Sequence, residues 1–506
     1  MKRIFLLVAL LIVVMFIYTF SLAQYISMSF LLDILPNNIF IYIIIGFLWL
    51  LAFFIAIRII MKQTYAYKKS YWILIILLNP ILGIILYAIF ARDFVADRFH
   101  RTRPLIANKA FLGLEEATHV DYDKREYGNI FRFIRENTGR SVYQDDTYVE
   151  ILNNGDIFFP RLKDALEKAR NYILMEFYII KTDEIGCQIL DILKSKAKQG
   201  LDVYLIYDHF GSNRHLDKKY MKDLESSGVH IGVFDPQTLS VFNSNLNFRN
   251  HRKATVIDGK IGFVGGMNLA DEYNHKSPKF GFWRDTHVLM AGNGVTSVQN
   301  VFVKDWYYIT KEVLDMPMDK TDANYRGLFS VIESGPDFED GQIRDVYLKM
   351  MFAAKKTIDI VTPYLIIEPE IMAAIHVAVK SGVKIRLLVP GLSDYVMVGL
   401  ATKSYYEQLL RTGVEIYEYK DHFVHSKILI VDDKIASVGS VNFDPRSFHL
   451  NFEVTAVFTD EAVGVLSESF REDLEKSNRI TMEEWARRGA MKRFIQALLN
   501  LFSPIF

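Results

Sequence analysis

The sequence predicts an α/β protein made of two similar halves in a pseudo-twofold arrangement, preceded by N-terminal transmembrane helices. Three observations carry this. Strand-type and helix-type runs alternate through the second part of the chain, which implies helices layered on sheets. Their order is replayed once, with the same short motif at the same place in each copy. The first ninety residues instead hold three long apolar runs. A tandem of independent domains is the alternative to a paired arrangement.

Taken in order, the anchor covers 1–91, a linker 92–140, the first half 141–323, the second half 324–484, and a basic amphipathic segment 485–506. The apolar runs are 4–20, 39–61 and 71–90. Spanning a bilayer takes ~20 helical residues, and runs with almost no polar face rarely form soluble cores. Lys2-Arg3 and Ser21-Leu22-Ala23 around the first run resemble a cleavable signal peptide, but the run is longer than a usual signal core, so an uncleaved anchor is expected. The third run holds Asn79-Pro80 and Gly83 at its centre, which fits a kinked span or a re-entrant hairpin. Lys2, Arg3, Lys62, Lys68 and Lys69 favour the inside face. A full third crossing would put the globular part outside; re-entry would keep it inside.

Charge follows the same division. The chain of 506 residues balances 59 Lys+Arg against 59 Asp+Glu, which argues against a general nucleic-acid binder. Residues 1–90 carry six basic residues and one acid, leaving 53 basic and 58 acidic residues in 91–506. A hydrophobic content of 51% argues against extended disorder. A single cysteine, Cys187, excludes an intrachain disulfide and a Cys-based zinc cluster, and reads as a small buried residue.

The repeat is visible segment by segment. In the first copy, NYILMEFYII (171–180) reads as a strand, and Gly200 and Gly228 each separate a helix from a strand. In the second, KTIDIVTPYLII (356–367) is the strand, and Gly382 and Gly413 are the separators. Such glycines suit the left-handed residue that follows a helix. Each copy then carries His-x-Lys-x-x-x-x-Asp: His251, Lys253 and Asp258, then His425, Lys427 and Asp432. With 12 His in the chain, one chance match is expected in ~4% of random chains and two in well under ~1%. His and Lys two apart on a strand share a face. The aspartates fall near hairpin turns, and small residues precede Asn268 and Asn442, which would let an anion approach the backbone. Two such sets around one cleft suit a phosphodiester. Lysines and amides hold the phosphoryl oxygens, a neutral imidazole attacks phosphorus, and an imidazolium protonates the leaving oxygen. The two histidines must therefore differ in protonation. The chemistry calls for no metal and no cofactor.

These motifs, HRKATVID and HSKILIVD, resemble those of the phospholipase D superfamily and, more closely, the bacterial cardiolipin synthases. The resemblance extends to GGMN and GSVN, NFRNHRK, FWRDTHV (282–288), NFDPRSFHLNFEV (442–454) and the membrane-unit run NPILGIILY. It implies two phospholipase D-like α/β/α halves. It assigns His251 as nucleophile and His425 as acid, then base. Glu453 would orient His251, and Asp285 would orient His425, each from the opposite half. Asp258 and Asp432 become structural residues that hold their hairpins. Arg284 and Arg446 serve either substrate phosphate or packing. The implied reaction is reversible phosphatidyl transfer between two phosphatidylglycerol molecules, giving cardiolipin and glycerol through a phosphatidyl-histidine. The implied setting is the bacterial plasma membrane, as a multi-pass protein with anionic lipids as partners and no nucleic acid. The rivals are a membrane-bound phosphodiesterase that hydrolyses phospholipid and a non-catalytic membrane scaffold. Four cations interleaved with apolar residues in 485–506 suit a helix lying on anionic lipid or one docked on the core.

Overall fold

The structure is a computed structural model and describes residues 39–61, 66–90, 120–235, 248–277, 279–317, 325–338, 341–420, 422–459 and 461–502. The apolar run 4–20 lies outside the described residues. The chain divides into two compact units, Met1–Phe94 and Val95–Phe506.

The first unit contains helices α1 (Ile39–Ile60), α2 (Ala66–Leu78) and α3 (Pro80–Phe90). Ala52, Ile55, Ile59, Ile76 and Tyr87 form its small core, while Phe47, Phe53 and Phe54 point outward and are exposed. The Lys69 ammonium donates to the Ile60 carbonyl at 2.9 Å, satisfying an end of α1. Pro80 stops the preceding helix and occupies the first position of the next. Asn79 Oδ1 accepts from the Leu82 amide at 3.0 Å. The chain turns back there: the Trp72 and Tyr87 ring centroids are 5.3 Å apart, a contact that a continuous helix could not make. A Cβ on Gly83 would lie 2.6 Å from the Ile76 Cα, so only glycine permits this closeness. The third apolar run is thus a helical hairpin. Four side chains at the start of α1 (39–42) are outside the described set, and among the described residues no helix is long and apolar enough to cross a membrane.

The second unit forms β1 (Tyr143–Gln144), β2 (Thr147–Asn153), β3 (Tyr172–Phe177), β4 (Asp202–Asp208), β5 (Val229–Phe234), β6 (Arg249–Asn250), β7 (Lys253–Ile257), β8 (Ile261–Gly265), β9 (Trp283–Arg284) and β10 (Thr286–Gly292). It continues with β11 (Leu328–Ser334), β12 (Thr357–Val361), β13 (Lys384–Pro390), β14 (Glu415–Tyr419), β15 (Phe423–Val424), β16 (Ile428–Val431), β17 (Ile435–Gly439), β18 (Asn451–Phe458) and β19 (Ser477–Ile480). One sheet has the order β2-β10-β8-β7-β3-β4-β5. The other repeats it as β11-β18-β17-β16-β12-β13-β14, extended by β1 and β19. The sequence repeat is therefore a repeat of topology. Helical crossovers make β3-β4-β5 and β12-β13-β14 parallel, and tight turns make β7-β8 and β16-β17 antiparallel. The separator glycines have φ of 93° at Gly200, 100° at Gly228, 88° at Gly382 and 110° at Gly413, a region that penalises a Cβ.

The core explains the pairing of the halves. Val256, Val264 and Val288 from one sheet join Val438, Val454 and Ala456 from the other in a single buried cluster. Separate clusters fill the outer faces under helices such as Glu184–Lys198 and Pro369–Lys380. The segment read as a linker includes helix Gly128–Thr138, which buries Ile130, Phe131 and Ile134 in the second half's core. Likewise, β1 pairs with β11 rather than within the first half. Cys187 is half-buried rather than buried, and burial holds its thiol above the ordinary range.

Candidate active site

Each motif histidine precedes its strand, rather than lying within it as a shared-face reading of His and Lys expects. His251 stands between β6 and β7, and His425 stands between β15 and β16. Both are strapped to the other half. Strand β6 pairs with the start of β18, and the His251 amide donates to the Phe452 carbonyl at 2.9 Å. Strand β15 pairs with β9, and the His425 amide donates to the Arg284 carbonyl at 2.7 Å. The residue after each accepting carbonyl, Glu453 and Asp285, carries a carboxylate. His251 Nδ1 lies 3.0 Å from both Glu453 oxygens, and His425 Nδ1 lies 2.7 Å from Asp285 Oδ2. A neutral imidazole facing a carboxylate through Nδ1 carries its proton there and keeps the Nε2 lone pair free.

The small-residue turns serve these carboxylates. A Cβ on Gly266 would meet Asp285 Oδ1 at 2.2 Å, so glycine leaves room for that acid. At the matching position Ser440 donates its hydroxyl to Glu453. The anion that approaches these turns is thus the protein's own carboxylate, not the substrate anion expected from the sequence. The lysines lie beneath the histidines: Lys253 Nζ donates to the His251 carbonyl at 2.5 Å, and Lys427 Nζ donates to the His425 carbonyl. Lys253, Lys427, Asp285 and Glu453 are all fully or almost fully buried.

Burial sets the electrostatics. It pulls His251 down to about 4, against Glu453 and with help from Lys253 and Lys427. It pulls His425 down to about 3, with Lys427 adding to the effect and Asp285 opposing it. Burial likewise lowers Lys253 to about 7 and Lys427 to about 8, with Glu453 and Asp285 respectively the strongest opposing charges. For Glu453 and Asp285 burial pushes upward, but the adjacent histidine, lysine and hydrogen bonds outweigh it and leave both below the usual carboxylate range. Both imidazoles are therefore neutral at pH 7, so the protein alone does not create the difference in protonation that the chemistry requires. A phosphodiester anion between them would raise both and let one take a proton.

The motif aspartates face elsewhere. Asp258 accepts from the Arg170, Asn171 and Tyr172 amides at 2.7–2.9 Å. Asp432 accepts from the Lys355, Lys356 and Thr357 amides at 2.6–2.8 Å, and from the Tyr127 hydroxyl at 2.5 Å. Each pins the beginning of the neighbouring strand rather than its own hairpin, from a turn residue with φ of 53° or 56°. Asn268 bridges the Ile179 amide and the Tyr273 hydroxyl, at 3.0 and 2.6 Å. Asn442 lies at the cavity, and its Oδ1 has no hydrogen-bond partner among the described residues. Arg284 is a packing residue, bonded to Asp473 at 2.7 Å and to the Asp285 carbonyl and Thr286 hydroxyl at 2.8 Å. Arg446 lines the cavity.

His251, His425, Asn268 and Asn442 open onto one cavity of about 700 Å³. Sequence reasoning missed much of its wall. The Tyr178 ring lies 4.9 Å from His251 and 5.3 Å from the Lys253 ammonium. Tyr273 and Trp283 lie 5.5 and 5.7 Å from His425. Arg249 also lines the cavity, two residues before His251. Tyr178 directly follows β3, and the carboxyl ends of such strands are where α/β sheets bind ligands. That rule was the available signal. Among the described residues, no group of three or more His, Cys, Asp or Glu side chains is placed to hold a metal ion.

The sequence profile described as "Cardiolipin synthase, PLD-like domain" matches residues 162–277 and 347–476, and the phospholipase D-nuclease N-terminal profile matches 47–92. Cardiolipin synthase 2 of Bacillus anthracis is 37% identical over 465 residues, covering 90% of each chain. The chain belongs to the cardiolipin synthase family. The major cardiolipin synthase of Bacillus subtilis is 36% identical over 483 residues, covering 92% of this chain and 99% of its own. The fold is also that of a solved phosphatidylserine synthase from Haemophilus influenzae, with TM-score 0.58 and 14% identity, covering 76% of this chain and all of that one. Family membership thus extends over both halves and the hairpin unit.

Proposed function

We propose that this cardiolipin synthase family member joins two phosphatidylglycerol molecules into cardiolipin and glycerol. The observation that carries the reading is the crossed pair of contacts, His251 with Glu453 and His425 with Asp285, at the rim of a single cavity. His251 Nε2 attacks phosphorus and forms a P–N bond. The P–O bond to glycerol breaks, and His425 protonates the departing oxygen. His425 then takes the proton of the second lipid's glycerol hydroxyl. That oxygen attacks phosphorus, the P–N bond breaks, and its electron pair returns to His251. Lys253 and Lys427, buried beneath the two histidines, offset the phosphoryl charge. One phosphodiester replaces another, so the reaction is reversible and needs no nucleotide.

The membrane setting rests on the first unit. Its helix α1 turns apolar side chains such as Phe47, Phe53 and Phe54 outward, where a bilayer would cover them. The hairpin limbs α2 and α3, of 13 and 11 residues, reach only ~20 and ~17 Å. The chain therefore leaves the hairpin on the face where it entered. Lys62 before the hairpin and Lys68 and Lys69 in the first turn of α2 favour the cytoplasmic face. This supports a protein of the plasma membrane whose second unit is cytoplasmic. The full chain in phosphatidylglycerol vesicles should yield cardiolipin and one glycerol per turnover. Phosphatidic acid as the sole product would refute transfer in favour of hydrolysis.

A further inference from the structure

The second unit carries apolar surface beside the mouth of the cavity. We label helices α4 (Val396–Ser404) and α5 (Ala490–Phe502). Asp394, Tyr395 and Val398, at the start of α4, line the cavity. Yet the same turn turns large apolar side chains outward, with Val396 72% and Met397 52% exposed. Helix α5 packs along α4, and Asn500 Nδ2 donates to the Ser404 hydroxyl at 3.0 Å. Leu499 and Gln496 face inward, whereas Met491 (71%), Phe494 (53%) and Leu498 are exposed. Two adjoining helices thus leave apolar residues uncovered, and one of them begins in the wall of the cavity.

Charge identifies what covers them. Residues 485–506 hold Arg487, Arg488, Lys492 and Arg493 and no acid, although 91–506 as a whole carries an acidic excess. Arg488 is used internally, over the Trp485 ring and against Glu407. Arg487 and Lys492 are exposed, as is Arg493, whose guanidinium also donates to the Arg488 and Ala486 carbonyls. Apolar residues flanked by cations on one helix match an anionic bilayer, with its negative headgroups above apolar chains. A soluble acidic protein would answer the cations but not so broad an apolar face.

We propose that the apolar ends of α4 and α5 form a second membrane contact, separate from the N-terminal unit, which holds the cavity mouth against anionic lipid. It rests on the function proposed above and adds how lipid reaches the site: the mouth meets the bilayer, and the substrate enters without crossing water. The contact would also favour a lipid alcohol over water at the covalent intermediate.

The test uses the full chain in phosphatidylcholine vesicles. One arm supplies long-chain phosphatidylglycerol in the bilayer, and the other a short-chain phosphatidylglycerol dissolved below its micellar concentration. Val396→Glu and Phe494→Glu should each lower cardiolipin formation from bilayer substrate about tenfold and change the dissolved-substrate rate less than about twofold. Phe494→Leu should restore the bilayer rate. Equal losses in both arms, or no loss in either, would overturn the membrane contact. Rescue by leucine in both arms alike would do the same, since it would mark a packing role. If the unaltered protein makes cardiolipin in neither arm, it is the proposed reaction that fails.

Discussion

Replacing Glu453 by Gln removes one charge while keeping the side chain's shape. Glu453 accepts from His251 through both oxygens, from Ser440, and from Asn451 Nδ2 at 3.2 Å. A glutamine must turn its NH2 toward one of these donors. Facing His251, it would force the imidazole proton from Nδ1 to Nε2 and remove the lone pair that attacks phosphorus. Resisting that change sets two donors against each other, at ~1–3 kcal/mol. The imidazole also gains positive charge as the P–N bond forms. At ~5 Å and an effective dielectric constant of ~20, the lost carboxylate is worth a further ~3 kcal/mol. Together, ~4–6 kcal/mol corresponds to a rate ~10³–10⁴-fold lower. Single-turnover conversion of labelled phosphatidylglycerol in vesicles would measure it, with thermal unfolding to verify folding. A folded Glu453→Gln protein within tenfold of the original rate would refute the orienting role.

Two further outcomes follow from the same groups. Because Lys253 and Lys427 are lowered to about 7 and about 8, kcat/KM should decline as pH rises through that range and the ammonium ions are lost; a flat profile to pH 9 would rule them out as the phosphate-holding charges. His251 and His425 are lowered on folding, so the unfolded chain binds their protons first. Stability is full above their ordinary value of 6.5 and should be lost as pH falls toward about 4, an acid limb that His251→Gln should lessen in urea titrations. Asp432→Ala leaves three amides and the Tyr127 hydroxyl without their acceptor. It should cost ~2–4 kcal/mol of stability, while the folded fraction keeps a rate within about threefold, and a stability loss under ~1 kcal/mol would contradict the strand-pinning role.

The sequence exposes what is set locally and repeated. The separator glycines could be read because a helix end needs a left-handed residue, and φ at Gly200 and Gly382 meets that need. The two motifs stood out because each is short and duplicated. The partners Glu453 and Asp285 came from family resemblance alone, since nothing local in NFEV or WRDT says which histidine each will meet. Features decided by distant packing stayed hidden. Helix Gly128–Thr138 joins the second half because of apolar residues some two hundred positions further on, such as Val346 and Tyr347. Gly266 is explained only once Asp285 is known to lie against it. The hairpin at Asn79-Pro80 depended on Trp72 meeting Tyr87, which the apolar pattern leaves open.

Two imidazoles, one from each half, divide nucleophile and acid between them at one phosphorus. A phosphatidyl ester of p-nitrophenol separates these roles, because its leaving group departs without a proton. With His425→Ala, this substrate should release a burst of about one p-nitrophenolate per chain. It should leave a base-stable, acid-labile phosphoryl adduct on the peptide containing His251. Absence of that adduct, or its appearance on His425 in the His251→Ala protein, would contradict this division of roles.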